Sequence, residues 1–209
     1  MKHLKMLGLA AVTAVALMAV AGSGSASATV LCKTTPTNND CPKAWDYEKG
    51  TQISASAKAG GSILVEETGG TSVTTCTGGS LKGKTTNTGG ANETVDGTNE
   101  ELVWNNCKAA VVTKGLGSFE IHAEENHNGV VTGKLNEITV VTALSVSCVY
   151  GTGSGATLGT IESGESATLN INAVLSLVSG GITCPPTVRW TSTYAVTSPS
   201  PIFFAMTLS

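Results

Sequence analysis

The chain has 209 residues, of which 13% are charged and 4% aromatic, and its formal charge is −3. That balance excludes a basic nucleic-acid surface, which needs clustered Lys and Arg against phosphate. Gly, Thr, Ser and Val dominate instead, favouring pleated strands and tight turns over amphipathic helices.

Residues 1–28 read as an export signal. Lys2 and Lys5 give a positive start, Leu7 to Val20 is nearly all apolar, and Ala26-Ser27-Ala28 is the small-x-small pattern that signal peptidase cleaves. The apolar run is short for a membrane span, and no later stretch approaches the roughly 18 apolar residues a second span needs. Cleavage leaves residues 29–209 as one mature domain, with ten basic residues against fifteen acidic. The expectation is a secreted protein, or one loosely associated with the cell wall, without a stable membrane span. In Val30-Leu31-Cys32 the residue before the cysteine is not small, which argues against a lipid anchor.

Strand candidates then recur along the chain at 51–57, 62–67, 72–77, 81–86, 100–107, 110–113 and 118–125. They continue at 129–143, 145–150, 156–163, 166–178, 188–196 and 201–208. This spacing predicts an all-β sandwich or barrel, with an antiparallel sandwich preferred. The clearest case is Leu169, Ile171, Ala173, Leu175 and Leu177, which alternate with Asn170, Asn172, Val174, Ser176 and Val178 at a period of two. Asn126-His127-Asn128-Gly129 is a predicted hairpin turn, and Gly69-Gly70, Gly89-Gly90 and Gly180-Gly181 mark others.

All six cysteines, Cys32, Cys41, Cys76, Cys107, Cys148 and Cys184, lie beyond the cleavage point, and an even count in an exported chain predicts disulfides. Neighbour pairing is the expectation, because Ser72-Val73-Thr74-Thr75-Cys76 and Ser145-Val146-Ser147-Cys148 open similar progressions that end at Cys107 and Cys184. The same echo raises the idea of two similar β halves.

Several motifs invite a function. Gly78-Gly79-Ser80-Leu81-Lys82-Gly83-Lys84-Thr85 matches the phosphate-loop pattern, but Thr85-Thr86-Asn87-Thr88-Gly89-Gly90 is no helix start, so a turn followed by a strand is expected. Gly151-Thr152-Gly153-Ser154-Gly155 is likewise a turn rather than a dinucleotide loop. His122 and His127 suggest zinc, yet one belongs to a strand and the other to a turn, which favours a solvated polar face. Glu66-Glu67, Glu100-Glu101 and Glu124-Glu125 are adjacent pairs whose members point to opposite faces of a strand, so neither partner can serve the other as acid and base. Asn92, Glu93, Asp96, Asn99 and Glu100 form an oxygen-rich stretch whose spacing matches no calcium loop, and Asn92-Glu93-Thr94 is a glycosylation sequon. Metal, cofactor and catalytic set are therefore all assigned as none.

The aromatics are Trp45 with Tyr47, Trp104, Tyr150, Trp190 with Tyr194, and few others. Val188, Trp190, Ser192, Tyr194 and Val196 share one strand face. Burial, which fills the core of a chain short of large side chains, is the preferred reading; exposed, Trp190 and Tyr194, or Trp45 and Tyr47, make a candidate platform for sugar rings.

The mature chain resembles a group of uncharacterised exported proteins of soil actinobacteria. The resemblance lies in Val30-Leu31-Cys32-Lys33-Thr34-Thr35, in Leu81-Lys82-Gly83-Lys84-Thr85-Thr86, and in the ending from Cys184-Pro185-Pro186 to Pro199-Ser200-Pro201. It implies an exported β protein and transfers no functional residue. The resulting expectation is a non-catalytic surface or matrix component, with cell-wall glycan or another surface protein as partner. A carbohydrate- or small-ligand-binding module is the second reading, and a secreted hydrolase with two carboxylates in one cleft is the third.

Overall fold

The computed structural model describes residues 28–142 and 145–208, so the expected export segment lies outside it apart from Ala28. The first strands, β1 (Thr29–Cys32) and β2 (Asp40–Cys41), precede the main sheet. Next come β3 (Gln52–Ala57), β4 (Ile63–Glu67), β5 (Ser72–Thr85), the short β6 (Gly89–Gly90) and β7 (Val95–Cys107). The middle of the chain forms β8 (Val111–Gly115), β9 (Ser118–Ala123), β10 (Gly129–Lys134), β11 (Glu137–Val141), β12 (Ser147–Gly151) and β13 (Ala156–Glu162). The last are β14 (Thr168–Ser179), β15 (Thr187–Ser198), β16 (Phe203–Ala205) and β17 (Thr207–Leu208). Every pairing is antiparallel except β2 with β17.

The expected all-β antiparallel sandwich is observed, and the registers show how its layers join. β3 and β4 occupy one slot, both lying between β15 and β5, with residues 58–62 looped out between them. β8 and β9, β10 and β11, and β12 and β13 are likewise interrupted single walls, since each pair faces the same two neighbours. From β3/β4 the chain therefore meanders through eight walls, and the last, β15, pairs back with the first. That is an up-and-down circuit, one solution to the problem of unpaired sheet edges. At one end the circuit is complete, because β7 pairs with β9 from Val95↔Ile121 to Thr98↔Ser118. At the other end no ladder joins β7 to β8 among the described residues, and the Thr113 hydroxyl donates to the Leu102 carbonyl across the seam at 2.7 Å. There the layers face one another as an open sandwich.

The two-residue alternation puts the apolar set inside. Leu169, Ile171, Ala173 and Leu175 of β14 are buried together with Val188, Trp190, Tyr194 and Val196 of β15. Asn170, Asn172, Ser176, Arg189 and Thr191 face outward. This is the reverse of a lipid-embedded barrel, whose apolar band is external. No helix among the described residues is long and apolar enough to cross a membrane.

Glycines allow the closest wall contacts. Phe119 pairs with Gly97, and its ring lies 2.0 Å from where a Gly97 Cβ would stand and 2.7 Å from the corresponding point on Gly83. The ring thus covers two bare backbone positions. Gly79 similarly admits the Val103 carbonyl at 2.5 Å from a virtual Cβ. The turn expected at Gly78-Gly79 is accordingly absent: the 72–77 and 81–86 candidates are one continuous strand, β5. Gly89-Gly90, also expected as a turn, is drawn into pairing with β1. The 129–143 candidate breaks at Leu135, whose φ is +56° and whose N–H donates to the Gly153 carbonyl at 2.9 Å.

The closed end carries a cap. β1 lies between β16 and β6, placing Leu31, Ile202 and Phe204 in the main core. The Tyr47 hydroxyl donates to the Pro201 carbonyl at 2.6 Å, and the Ala123 N–H to the Thr29 hydroxyl at 2.9 Å. Three disulfides follow the expected neighbour pairing: Cys32–Cys41 within the cap, Cys76–Cys107 across β5 and β7, and Cys148–Cys184 from β12 to the β14–β15 loop. The last two lie at the end opposite the cap but differ in kind, one inside a ladder and one joining strand to loop.

Candidate functional site

Inward side chains from the walls leave a cavity of about 90 Å³ at the centre of the fold. Its body is apolar, lined by residues such as Leu81, Phe119, Val131, Leu158, Ile171 and Trp190. It reaches the surface beside the β7–β8 seam, where Leu102 and Leu116 line it with Lys82 and Glu101. Lys82 and Glu101 form an ion pair, and both side chains are more than two-fifths exposed (46% and 41%), so this pair marks a wet rim rather than a buried charge.

One flank of the cavity is polar because the walls are interrupted there. Breaking β8 from β9, β10 from β11 and β12 from β13 frees backbone groups that must find partners. The Asn99 amide donates to the Leu116 carbonyl at 2.9 Å and to Asn136 Oδ1 at 2.7 Å. The Asn136 amide in turn donates to the Ser118 and Lys134 carbonyls, both at 3.2 Å. Thr152 Oγ1 accepts the Asn136 backbone N–H at 3.1 Å. Asn99, Asn136 and Thr152 thus form a fixed polar strip along an otherwise apolar cavity.

Trp190 and Tyr194 are 5% and 0% exposed, so the open sugar-stacking platform does not form; their strand turns them inward at the period of two. Trp190 packs on Trp104 with ring centroids 5.2 Å apart, and on Tyr194 edge-to-face at 6.4 Å. Trp104 Nε1 is buried without a hydrogen-bond partner, whereas the buried polar atoms of Trp190, Ser192 and Tyr194 stand close enough to interact with one another. A buried donor costs about 1–3 kcal/mol when left unsatisfied. Burial raises the Tyr194 phenol pKa well above its ordinary value, with the nearby Ser192 and Trp190 side chains tempering the rise. Trp45 is 52% exposed, whereas Tyr47 is half-buried with Lys33 Nζ 5.2 Å from its ring centroid.

Comparison with family models, with curated proteins and with solved structures finds no match for this chain.

The remaining motif residues are dispersed. His122 stands on β9 opposite Val130, while His127 lies in the β9–β10 connection. No grouping of three or more His, Cys, Asp or Glu side chains able to hold a metal ion occurs among the described residues. The oxygen-rich stretch splits: Asn92, Glu93 and Asp96 line one open surface hollow with Glu120, Asp96 there accepting from Thr94 at 2.6 Å and from Asn87 at 3.3 Å, whereas Asn99 turns into the cavity and Glu100 accepts from Gln52 at 3.1 Å. Glu101 is the one carboxylate lining the cavity among the described residues, and it is engaged by Lys82. The phosphate-loop match lies wholly within β5. Sequence reasoning named Asn99 in the oxygen-rich stretch and Thr152 in the Gly151–Gly155 turn but missed that they meet Asn136, because the strip is assembled from three separate walls.

Proposed function

We propose that this chain is an exported, non-catalytic binding barrel that takes a small apolar molecule into its interior. The observation carrying this reading is the apolar cavity of about 90 Å³ that opens beside the β7–β8 seam. Eight-stranded barrels either fill their interior with side chains or hold one small ligand. At about 24 cal/mol per Å³, leaving this space empty costs about 2 kcal/mol, which an occupant offsets. An apolar cavity of about 150 Å³ is known to take benzene, so the present one suits an apolar group of a few carbons, including one end of a longer chain entering through the seam. Support for export comes from the Lys2 to Ala28 pattern and from three disulfides, which fit an oxidising, extracellular environment. A surface or matrix role with a glycan partner draws on the same export and disulfides but leaves the cavity unexplained.

The test is a titration of the oxidised chain with isobutene, an apolar molecule of four carbons matched to this volume, followed by methyl resonances of Val131, Leu158 and Ile171. Saturable shifts are expected, and Ala55→Leu, which extends a lining side chain into the cavity, should abolish them while keeping the fold. Absence of saturation, or shifts that survive Ala55→Leu, would remove the proposal.

A further inference from the structure

We infer that the molecule held in the barrel is a small alcohol, or a longer molecule ending in one, whose hydroxyl donates to Asn99 Oδ1 while its carbon skeleton fills the apolar body of the cavity. This rests on the cavity-binding reading and specifies its ligand. Asn99, Asn136 and Thr152 all line the cavity, together with Leu102 and Leu116 where it reaches the surface. The backbone dictates how the two amides point. A carbonyl oxygen only accepts, so the Leu116 carbonyl, 2.9 Å away, fixes which end of the Asn99 amide is nitrogen. The Ser118 and Lys134 carbonyls fix Asn136 in the same way, which leaves its Oδ1 to take the second Asn99 hydrogen at 2.7 Å.

Both hydrogens of the Asn99 amide are therefore spent, but its oxygen is not. Among the described residues no group donates to Asn99 Oδ1, and the atom is not buried, so solvent reaches it in the unliganded chain. Thr152 Oγ1 accepts the Asn136 N–H at 3.1 Å, and its own hydrogen meets no acceptor among the described residues. The strip thus offers one unspent acceptor and one unspent hydrogen, the two capacities that a hydroxyl combines in a single small neutral group. A ligand covering the mouth displaces water from Asn99, and what replaces that water decides affinity. A hydrocarbon strips the acceptor bare, a ketone or ether sets a second acceptor against it with no hydrogen between them, and a hydroxyl restores the bond. A charged donor fits less well. Glu101, the one carboxylate lining the cavity among the described residues, is engaged by Lys82, so an ammonium would enter an apolar cavity without a counter-charge.

The matched probes are butan-2-ol, butanone and 2-methylbutane, which share one carbon skeleton and carry a hydroxyl, a carbonyl oxygen or a methyl at the same place. Each is titrated into the oxidised, ¹³C-labelled chain, with binding read from the lining methyl resonances and the contact from the Asn99 side-chain carbonyl carbon. All three should shift the methyls saturably. Butanone and 2-methylbutane should move the Asn99 carbonyl upfield as its hydrogen bond to water is lost, whereas butan-2-ol should hold it in place. Asn99→Ala should weaken butan-2-ol about tenfold and leave the other two no weaker. If the three probes bind but move the Asn99 carbonyl alike or not at all, or if Asn99→Ala weakens all three equally, the hydroxyl assignment is overturned and the binding cavity stands. If none of them binds, the cavity reading falls and this inference with it. Should Asn99→Ala not fold, the carbonyl resonance of the unaltered chain decides.

Discussion

Gly97→Ala should destabilise this protein, although the same change at an ordinary extended position would stabilise it. Gly97 sits in β7 paired with Phe119, and three ring atoms lie 2.0, 2.5 and 2.7 Å from the position its Cβ would take. Carbon atoms normally rest about 3.5–4.0 Å apart, so the ring must retreat by roughly 1.5 Å. Gly83 bars part of that retreat, since the ring already lies 2.7 Å from its virtual Cβ. Overpacking of this kind costs about 1–3 kcal/mol. Without the ring, the added methyl would gain about 0.4–1 kcal/mol by restricting the unfolded chain. Phe119→Ala alone should cost about 3–5 kcal/mol. In the double variant the Gly97 change should switch sign, giving a coupling of about 2 kcal/mol or more between the two sites. Urea unfolding of the four oxidised proteins, read by circular dichroism, closes the cycle. Additivity within about 0.5 kcal/mol, or a stabilised single Gly97→Ala variant, would refute the ring-on-glycine account.

Two other outcomes are expected. Replacing Cys76 and Cys107 by Ala, which frees a 31-residue separation, should lower stability by about 3.7 kcal/mol on the loop-entropy model, against about 2.6 kcal/mol for Cys32 and Cys41 at a separation of 9. The reverse order in urea unfolding would remove chain entropy as the explanation. The phenols of Tyr47, Tyr150 and Tyr194 are all raised above the usual 10.0 by burial, Tyr150 also by the charge of Glu67. Because the folded state prefers them protonated, their contribution is complete below pH 10.0 and declines as pH climbs above it. Phenolate absorbance should therefore lag behind that of the urea-unfolded chain on alkaline titration; coincident curves would contradict the burial.

The elements legible in the sequence were those whose signal is local. Leu169 to Val178 alternates so regularly that β14 and its inward face follow directly, and the disulfide partners are neighbours in order. Gly78-Gly79 failed because glycine has two uses: it makes turns, and it permits close backbone approach, here to the Val103 carbonyl. Leu135 failed for the opposite reason, since a leucine with φ of +56° gives no warning of a break. The burial of the Val188-to-Val196 face was legible at its period of two, but what β15 pairs with was not, since β3 and β4 lie more than a hundred residues away. The cavity is less legible still, because it is the volume left over when eight walls fail to fill their centre.

Closure between the first wall and the last also sets an order of events during synthesis. The β3/β4 edge waits unsatisfied until β15 has emerged, so a nascent chain must live for most of its length as an incomplete ribbon with a sticky margin. Cross-linking Cys76 to Cys107 needs only β5 and β7 and can rivet that pair before the docking. Loss of the final dozen wall residues would leave two margins, β14 and β3/β4, without a partner at once.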